Sequence, residues 1–303
     1  MKVFLTGGTG FIGSYVVNEL INQGHEITIL ARNPKKVSGF INHNAIQLVK
    51  GTLYDNDIIK KALKDKDACI HIALGWGDTA INMLEKDTKV SVYLMETAAE
   101  LGVKKMIYTS STAAVGDLRV DMDESISPRP IDFYGATKAA TEAYLLSIAR
   151  AYDIQANIIR PGYTFGNPVV EGSYMQPDTR FWDIVNLAKN NKDIKLVKND
   201  GTQFIWAGDL AKVYSAVLNS EYNREIFFGL SNEFVTWEEI AQLALDYTNS
   251  SSQIILEDKA WGWATYRFDL DKLDKEFGFN FTCLDHIKSH LAYLAELKGE
   301  YNA

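Results

Sequence analysis

Short apolar runs alternate with longer amphipathic stretches through the first half of the chain. The apolar runs are rich in Ile, Val and Leu and are bounded by glycine or polar residues, which predicts buried strands. The predicted strands are Val3–Thr6, Glu26–Leu30, Ile46–Val49, Ala68–Ala73, Lys105–Thr109 and Ile154–Ile159. Most are separated by stretches of helix length, including Ile12–Gln23, Asn56–Lys64 and Thr88–Leu101. This alternation predicts a doubly wound α/β fold, in which helices cover both faces of a parallel sheet.

The rhythm changes after Arg160-Pro161-Gly162, where loops lengthen, aromatic residues cluster and helical patterns dominate. Thr236-Trp237-Glu238-Glu239 has the spacing of a capping box, so it predicts the start of one of these helices. We therefore predict a sheet domain over residues 1–160. Residues 161–303 would form mainly a smaller substrate-binding lobe, interleaved with the end of the sheet.

Composition is that of an ordinary globular protein, because 47% of the 303 residues are hydrophobic and 23% are charged. The formal net charge is −8, and there is no long run of Lys or Arg. Such a surface repels nucleic-acid phosphates and anionic lipids, and no apolar run approaches the ~20 residues of a membrane span. We expect a small-molecule substrate, and neither a nucleic acid nor a membrane as a partner.

The cysteine content indicates a reducing compartment. Only Cys69 and Cys283 occur, far apart, so the sequence holds neither a disulfide framework nor a metal-ligand cluster. The apolar segment Met1–Leu5 breaks at once into Thr6-Gly7-Gly8 and is too short for a signal peptide. We expect a cytoplasmic protein without a metal site.

A glycine-rich segment, Thr6-Gly7-Gly8-Thr9-Gly10-Phe11-Ile12-Gly13, stands between the first predicted strand and the first predicted helix. Gly7 would let the chain turn, Gly10 would let the backbone approach a pyrophosphate, and Gly13 would let helix and strand pack closely. Free N–H groups at the helix N-terminus would bind the phosphates. An ordinary glycine-rich turn is the alternative, but the position favours a dinucleotide site.

The end of the second strand bears on which dinucleotide binds. A carboxylate there would bind the ribose of NAD, whereas a cation would accept the extra phosphate of NADP. The sequence Leu30-Ala31-Arg32-Asn33-Pro34-Lys35-Lys36 has no carboxylate, and Arg32 is well placed for a 2′-phosphate, with Lys35 or Lys36 as further cations. A solvated basic loop is the alternative. The pattern favours NADP over NAD.

Tyr134-Gly135-Ala136-Thr137-Lys138 places a Tyr and a Lys four residues apart, on one face of a helix. An ammonium group and a positive nicotinamide ring would both lower the pKa of the phenol from its ordinary value of about 10. Tyr134 could then exchange a proton with a substrate oxygen while hydride moves. The alternative is a surface helix on which Lys138 pairs with Glu142.

Hydroxyl groups follow the strand Lys105–Thr109, at Ser110, Ser111 and Thr112. Because ligands of parallel sheets bind beyond the carboxyl ends of the strands, Ser110 or Ser111 would face the cofactor and orient the substrate oxygen towards Tyr134. A Ser/Thr cap of a loop is the alternative. The chain order of glycine turn, Ser, Tyr-x-x-x-Lys and Arg-Pro-Gly favours the active-site interpretation.

At nearly full length the chain resembles the extended short-chain dehydrogenase/reductase group, also called the NAD-dependent epimerase/dehydratase family. The glycine-rich segment matches the fingerprint of that family closely. Further matching motifs are His71-Ile72-Ala73, Thr109-Ser110-Ser111-Thr112-Ala113-Ala114-Val115-Gly116, Arg160-Pro161-Gly162-Tyr163-Thr164-Phe165-Gly166 and Gly208-Asp209-Leu210-Ala211. The resemblance implies an NAD(P)-binding Rossmann fold. Family members often dimerise through the Tyr-x-x-x-Lys helix and the helix before it, so a homodimer is one expected assembly.

The resemblance also implies residue roles: Tyr134 is the acid/base, Lys138 binds the ribose and Ser111 positions the substrate. Together with the strand-end positions, it predicts a set of cofactor-binding residues: Thr6, Gly7, Gly10, Phe11, Ile12, Gly13, Arg32, Thr52, Leu53, Ala73, Lys138 and Pro161.

Departures from the family pattern bear on the substrate. Dehydratases carry Asp-Glu after the catalytic hydroxyl, but Thr112 and Ala113 stand here, which disfavours dehydration. The segment 201–209 lacks the Arg that binds a sugar-nucleotide diphosphate; Arg180 or Arg267 would have to substitute. Thr52 replaces an adenine-contacting Asp. Asp87 or a neighbour replaces an Asn of the central helix. Neither of these two changes removes an essential catalytic group.

Tryptophans are candidate pocket residues. Trp76, between Gly75 and Gly77, follows the fourth strand, and the second half contributes further rings at Trp182, Trp206, Trp261 and Trp263. Sugar rings and other apolar faces stack on Trp, but core packing is the alternative for each of them.

Three functions are consistent with this pattern. An NAD(P)-dependent epimerase would oxidise and reduce a sugar or sugar-nucleotide carbon in place, as is commonest in the family. An NADPH-dependent carbonyl reductase is favoured by Arg32 and by the missing diphosphate Arg. A redox sensor that binds NADP without catalysis is the third, although such proteins usually lose the Tyr-Lys pair that is kept here.

Overall fold

The computed structural model describes residues 1–297. In chain order its strands are β1 (Lys2–Thr6), β2 (Glu26–Ala31), β3 (Ile46–Lys50), β4 (Ala68–His71), β5 (Lys105–Thr109), β6 (Gln155–Pro161), β7 (Thr164–Phe165), β8 (Ile194–Val197), β9 (Gly201–Thr202), β10 (Ile205–Trp206), β11 (Ile226–Gly229), β12 (Val235–Thr236) and β13 (Ile254–Glu257). Its α-helices are α1 (Phe11–Asn22), α2 (Asn56–Leu63), α3 (Ala80–Met83), α4 (Lys89–Glu100), α5 (Phe133–Ala151), α6 (Arg180–Lys189), α7 (Ala207–Asn219), α8 (Trp237–Thr248), α9 (Asp271–Phe277) and α10 (Leu284–Glu296).

A seven-stranded parallel sheet in the order β11-β6-β5-β4-β1-β2-β3 forms the centre of the molecule. One apolar cluster packs α1 and α7 on one face, and a second packs α2, α4 and α5 on the other. The predicted doubly wound fold is therefore confirmed. The seventh strand, β11, comes from the second half of the chain and pairs with β6, so the two halves share the sheet.

Strand β4 is shorter than predicted, because it ends at His71 and not at Ala73. Beyond it, the Ile72 N–H donates to Thr6 O over 3.2 Å, and the Ala73 N–H donates to Thr6 Oγ1 over 3.4 Å. The end of β1 thus holds the chain that leaves β4, and both segments lie at the carboxyl edge of the sheet.

The helix predicted over Thr88–Leu101 begins earlier than the sequence indicated. Helical structure already starts with α3 and passes through one π-helical turn, Leu84–Thr88, before α4. Such single π-turns are rare within helices and are frequent at functional sites.

Helices α6, α8 and α10 surround an aromatic core in the second half of the chain. Phe165, Phe181, Phe204 and Trp237 are buried there with ring centroids 5.0–6.4 Å apart. The predicted capping box is present, since Thr236 Oγ1 accepts from the Glu239 N–H over 3.1 Å and Glu239 Oε2 accepts from the Thr236 N–H over 2.6 Å. None of the helices within the described residues is long and apolar enough to cross a membrane.

Candidate active site

The glycine-rich turn between β1 and α1 is built as its sequence predicts. Gly7 has a φ of +75°, and a Cβ there would lie 2.7 Å from the Ala73 nitrogen. At Gly13 a Cβ would lie 2.0 Å from Gly7 O, so helix and turn could not pack as they do with any side chain. At Gly10, the N-cap of α1, a Cβ would meet nothing nearer than Gly7 O at 3.2 Å. The open side of Gly10 and the free N–H groups of the first turn fit a dinucleotide pyrophosphate.

Other predicted cofactor residues surround this turn. Thr6 ends β1 and bonds to Ala73 beyond β4, while Phe11 and Ile12 open α1 and Pro161 ends β6. These residues share the carboxyl edge of the parallel sheet, where doubly wound proteins bind their ligands. Their assignment to a cofactor stays a prediction.

The residues predicted to select the cofactor lie beyond β2 and β3. Arg32, Lys35 and Lys36 are all exposed, and Lys36 Nζ lies 3.4 Å from the centroid of the Tyr174 ring. The Thr52 N–H and hydroxyl both donate to Asp55 Oδ2, over 2.6 and 2.8 Å. Leu53 is partly buried and packs against the apolar cluster that includes residues of α2. Of the three basic residues, Lys36 therefore has a contact of its own with the Tyr174 ring.

Helix α5 places Tyr134 against the loop that follows β5. Asp132 caps this helix by accepting from the Gly135 N–H over 2.6 Å, which fixes its first turn. A Cβ on Gly135 would lie 2.3 Å from Ala113 O, so glycine allows the helix to approach the loop closely. Across this contact the Ser111 side chain lies close enough to the Tyr134 hydroxyl to lower its pKa. The predicted pair of Tyr134 and Ser111 thus lies together.

Adjacent serines after β5 point in different directions. Ser111 Oγ caps a short 3₁₀ turn by accepting from the Ala113 N–H over 3.1 Å and lies beside Tyr134. Ser110 is buried and donates to Glu142 Oε1. Of the two candidates, the geometry places Ser111 at the site and Ser110 in the supporting interior.

Lys138 lies in the interior and not on a surface helix. It is 2% exposed, donates from Nζ to Thr109 O over 3.2 Å, and has Asp87 Oδ2 at 3.8 Å. Its Nζ lies 5.0 Å from the Tyr108 ring centroid and 5.7 Å from that of Tyr134. The alternative of a solvent-exposed Lys138–Glu142 pair is therefore wrong.

Glu142 instead forms a buried pair with Arg160 of β6. Its two carboxylate oxygens accept from Arg160 Nε over 2.8 Å and from Nη2 over 2.7 Å. This bidentate geometry is the strongest form of an Arg–carboxylate contact. The Arg of the Arg-Pro-Gly motif thus joins β6 to α5 beneath the site.

Burial raises the pKa of Tyr134, and the negative charges of Asp87 and Asp132 raise it further, while the nearby Ser111 side chain opposes them. Burial lowers the pKa of Lys138, and the charges of Asp87 and Glu142 oppose that shift. The expected lowering of the Tyr134 pKa is therefore wrong for the protein groups alone. Desolvation by burial is the largest of the effects on Tyr134.

A buried hydrogen-bonded chain links Thr6, at the start of the glycine-rich turn, to the π-helical turn. Thr6 Oγ1 contacts His71 Nδ1 at 2.6 Å, His71 Nε2 contacts Ser91 Oγ at 2.7 Å, and Ser91 Oγ donates to Asp87 O over 2.6 Å. Because Ser91 donates onward, His71 carries its proton on Nε2 and accepts from Thr6 at Nδ1. Burial lowers the pKa of His71 to about 3, which agrees with a neutral ring.

Asp87 is the site residue whose importance sequence reasoning missed. The family pattern pointed to its position, but residue type alone did not show that the carboxylate is fully buried beside Lys138. Its Oδ1 also accepts from the Gly75 N–H over 3.0 Å and holds the loop that carries Trp76.

Trp76 is the predicted aromatic that lies at the site. Its side chain is 61% exposed, and its ring centroid is 6.2 Å from that of Tyr134. Trp206 instead stacks on His286 at 4.1 Å, while Trp261 and Trp263 are exposed in the second half. Trp76 therefore offers an apolar face beside Tyr134.

Both arginines considered for a diphosphate have protein partners. Arg180 Nη2 lies 2.6 Å from Asp200 Oδ2, and its guanidinium lies 4.2 Å from the Trp237 ring centroid. Arg267 Nη2 donates to Asn232 O over 3.1 Å. Gln203 lies in the segment that lacks the family Arg, and it is buried. Its Nε2 donates to Phe268 O over 3.0 Å, and its Oε1 accepts from the Phe268 N–H over 2.7 Å.

Comparisons with known proteins agree with this geometry. The model of the NAD dependent epimerase/dehydratase family matches residues 3–227. The chain is 29% identical over 231 residues to a putative UDP-glucose 4-epimerase of Methanocaldococcus jannaschii, covering 72% of this chain and 73% of that protein. It is 26% identical over 261 residues to the uncharacterized protein y4nG of Sinorhizobium fredii, covering 82% of this chain but only 61% of that protein. The UDP-glucuronic acid 4-epimerase of Bacillus cereus in complex with NAD has the same fold, with a TM-score of 0.83 at 19% identity over 97% of this chain and 98% of that one.

Proposed function

The chain belongs to the NAD dependent epimerase/dehydratase family, and from that premise we propose that it transfers hydride between a nicotinamide cofactor and a secondary alcohol or ketone carbon. The proposed substrate is a sugar or sugar-nucleotide derivative, because the similar proteins include epimerases of UDP-sugars. The observation that carries this proposal is that Tyr134 lies beside Ser111, with Nζ of the buried Lys138 5.7 Å from the Tyr134 ring centroid.

When bound, the nicotinamide ring supplies or accepts the hydride. The residues of the chain would handle the proton and the geometry. Tyr134 Oη would give a proton to the carbonyl oxygen in reduction and take one from the alcohol in oxidation. Ser111 would donate a hydrogen bond to the same oxygen, and Lys138 would contact the ribose. Gly7, Gly10 and Gly13 would hold the pyrophosphate at the start of α1.

Tyr134→Phe tests the proposal, because it removes the transferable proton and keeps the ring. We expect kcat/KM to fall by about 10²–10⁴-fold, while the Kd of the dinucleotide, measured by calorimetry, changes little. Tyr144→Phe is the matched control, because it removes the hydroxyl of a 53% exposed tyrosine on the same helix. Full activity of Tyr134→Phe would contradict the assignment. Unchanged cellular effects with unchanged cofactor binding would favour a redox sensor.

A carbonyl reductase is the second candidate, favoured by the exposed Arg32 and by the protein partners of Arg180. Mass spectrometry of nucleotide released from freshly purified protein separates the two. Stoichiometric NAD would support an epimerase that recycles its cofactor and would contradict a role for Arg32. An empty protein that binds NADPH more tightly than NADH would support the reductase and our proposed NADP preference.

We also propose a homodimer. An apolar groove of about 240 Å³ lies between α3 and α5 and is lined by Ala80, Leu84, Thr88, Phe133, Ala136, Thr137 and Ala140. Ile81, beside this groove, is 63% exposed. Covering such a surface with a second copy would remove apolar area from water. Sedimentation velocity measures the assembly.

A further inference from the structure

Asp87 is a buried carboxylate with incomplete hydrogen bonding. It is 0% exposed and lies in the π-helical turn Leu84–Thr88. Its Oδ1 accepts from the Gly75 N–H over 3.0 Å. Its Oδ2 is buried without a hydrogen-bond partner among residues 1–297 and faces Lys138 Nζ at 3.8 Å. A separation of 3.8 Å is an ion-pair distance and is longer than a hydrogen bond.

Burying Asp87 and Lys138 in this loose geometry costs folding free energy, which suggests that the charge of Asp87 has a function. Desolvating a carboxylate and an ammonium costs several kcal/mol each, and a loose geometry recovers less of that cost than a bidentate one. An amide at position 87 could keep the Gly75 contact without the charge. What the carboxylate adds is therefore a negative charge beside Lys138.

We propose that Asp87 is a positioning residue that compensates the charge of Lys138 and so keeps the proton on Tyr134 until substrate binds. This inference rests on the proposed function, since it assigns the protonation state with which that site begins the reductive direction. Asp87 acts through Lys138 and need not contact the substrate.

Groups from every element around Lys138 bear on this balance. His71 on β4 is neutral, and the carboxylate of Glu142 is engaged by Arg160, so Asp87 is the nearby carboxylate whose charge is directed at Lys138. The other titratable groups that face the site are Tyr108 on β5, Asp132 and Tyr134 at the start of α5, and Tyr214 on α7.

The charge balance has a chemical consequence. With Tyr134 protonated, the group of Asp87, Lys138 and Tyr134 has a net charge of zero. A neutral residue at position 87 makes this charge +1, so the first proton leaves the Tyr134–Lys138 pair at lower pH. In reduction, hydride reaches the carbonyl carbon while the Tyr134 proton moves to the carbonyl oxygen. Tyr134 is left as phenolate and regains a proton from solvent. Asp87 thus maintains the form that donates.

Asp87→Asn in the full-length protein tests this without cofactor or substrate. Tyrosines labelled with ¹³C at Cζ report their ionisation by NMR, and Tyr134→Phe assigns the signal. We expect the Tyr134 signal to titrate at lower pH in Asp87→Asn than in the parent protein. Glu85→Gln is the matched control, because it removes an exposed carboxylate from the same π-helical turn. An unshifted Tyr134 signal in Asp87→Asn would overturn the proposal.

Kinetics give a second readout. In the reductive direction the high-pH limb of kcat/KM should move to lower pH by about one unit in Asp87→Asn, and not in Glu85→Gln. If the parent protein transfers no hydride, the proposed function fails. The NMR titration still decides the role of Asp87 in that case.

Asp87→Asn/Lys138→Met covers the case in which the single variant does not fold. Removing one partner leaves an uncompensated buried charge, whereas removing both does not. We expect the double variant to be more stable to urea than Asp87→Asn. A double variant no more stable than the single one would show that Asp87 does not compensate Lys138, and would overturn the proposal.

Discussion

Two buried ion pairs lie one turn apart along α5 and differ in geometry. Glu142 and Arg160 make two hydrogen bonds of 2.8 and 2.7 Å, and Ser110 adds a third contact to the same carboxylate. Lys138 and Asp87 face each other at 3.8 Å, and the ammonium group donates to a backbone carbonyl instead. All four charged side chains are at least 96% buried.

The difference in geometry indicates that one pair stabilises the fold and the other influences proton transfer. A carboxylate whose oxygens are saturated by a guanidinium holds one geometry, and so Glu142 and Arg160 tie α5 to β6. A pair without a direct hydrogen bond leaves its charges available to a neighbouring phenol, and the Tyr134 ring lies near that pair. The saturated pair should therefore govern stability, whereas the loose pair should govern proton transfer.

Breaking the saturated pair should have the largest effect on stability. Glu142→Leu leaves Arg160 buried without its carboxylate, which we expect to lower the free energy of unfolding by about 3–5 kcal/mol in urea denaturation. Glu142→Leu/Arg160→Met should recover much of this loss, because no charge remains buried. A loss below about 1 kcal/mol in the single variant would show that this pair contributes no more to stability than a surface salt bridge.

The two adjacent serines sharpen the same comparison. Ser110→Ala removes a hydrogen bond to the Glu142 carboxylate, and we expect a loss of about 1.5–3 kcal/mol in the free energy of unfolding with little change in kcat. Ser111→Ala should cost under about 1 kcal/mol but lower kcat by about 10²-fold, since it removes a donor to the substrate oxygen. Urea denaturation and steady-state kinetics measure both. The opposite pattern would exchange the roles of the two residues.

A smaller, pH-dependent effect belongs to His71, next to the loose pair. Its pKa is lowered from 6.5 to about 3 in the folded protein, so the unfolded chain binds more protons between these values. The contribution of neutral His71 is complete above pH 6.5 and is lost as pH falls towards 3. Between pH 7.5 and 5.5 the parent protein should lose about 1.4 kcal/mol more than His71→Gln. Equal losses in urea denaturation at both pH values would show that His71 is not held neutral.

Much of the fold of residues 1–160 could be predicted from the sequence, because the patterns that indicate its strands and turns are local. Runs of Ile, Val and Leu bounded by glycine located six of the seven strands of the sheet. Glycine is required at position 7 by the turn and at position 13 by the close approach of α1 to that turn. The family resemblance is confirmed by the match over residues 3–227. The roles of Ser111, Tyr134 and Lys138 and the division at residue 160 stay predictions.

Other features depended on distant parts of the chain. Strand-end position left Ser110 and Ser111 as alternatives, and the family resemblance pointed to Ser111. Only the packing of α5 and β6 shows that Ser110 is the hydroxyl that meets Glu142. The protein groups alone raise the pKa of Tyr134, an effect that was not predicted, because burial and the charge of Asp87 are not visible in a Tyr-x-x-x-Lys spacing. The early start of the helix before α4 was missed, because a π-helical turn has no regular apolar period.

By itself the sequence determined the order of the first six strands, the glycine turn at the start of α1 and the spacing that places Tyr134 and Lys138 on one helical face. These follow from backbone geometry and periodicity, which act over a few residues. Only the tertiary structure decided which charges meet, because Asp87 lies 51 positions before Lys138 and Glu142 lies 18 before Arg160. Electrostatic energies depend on distance in space and on burial, and the fold sets both.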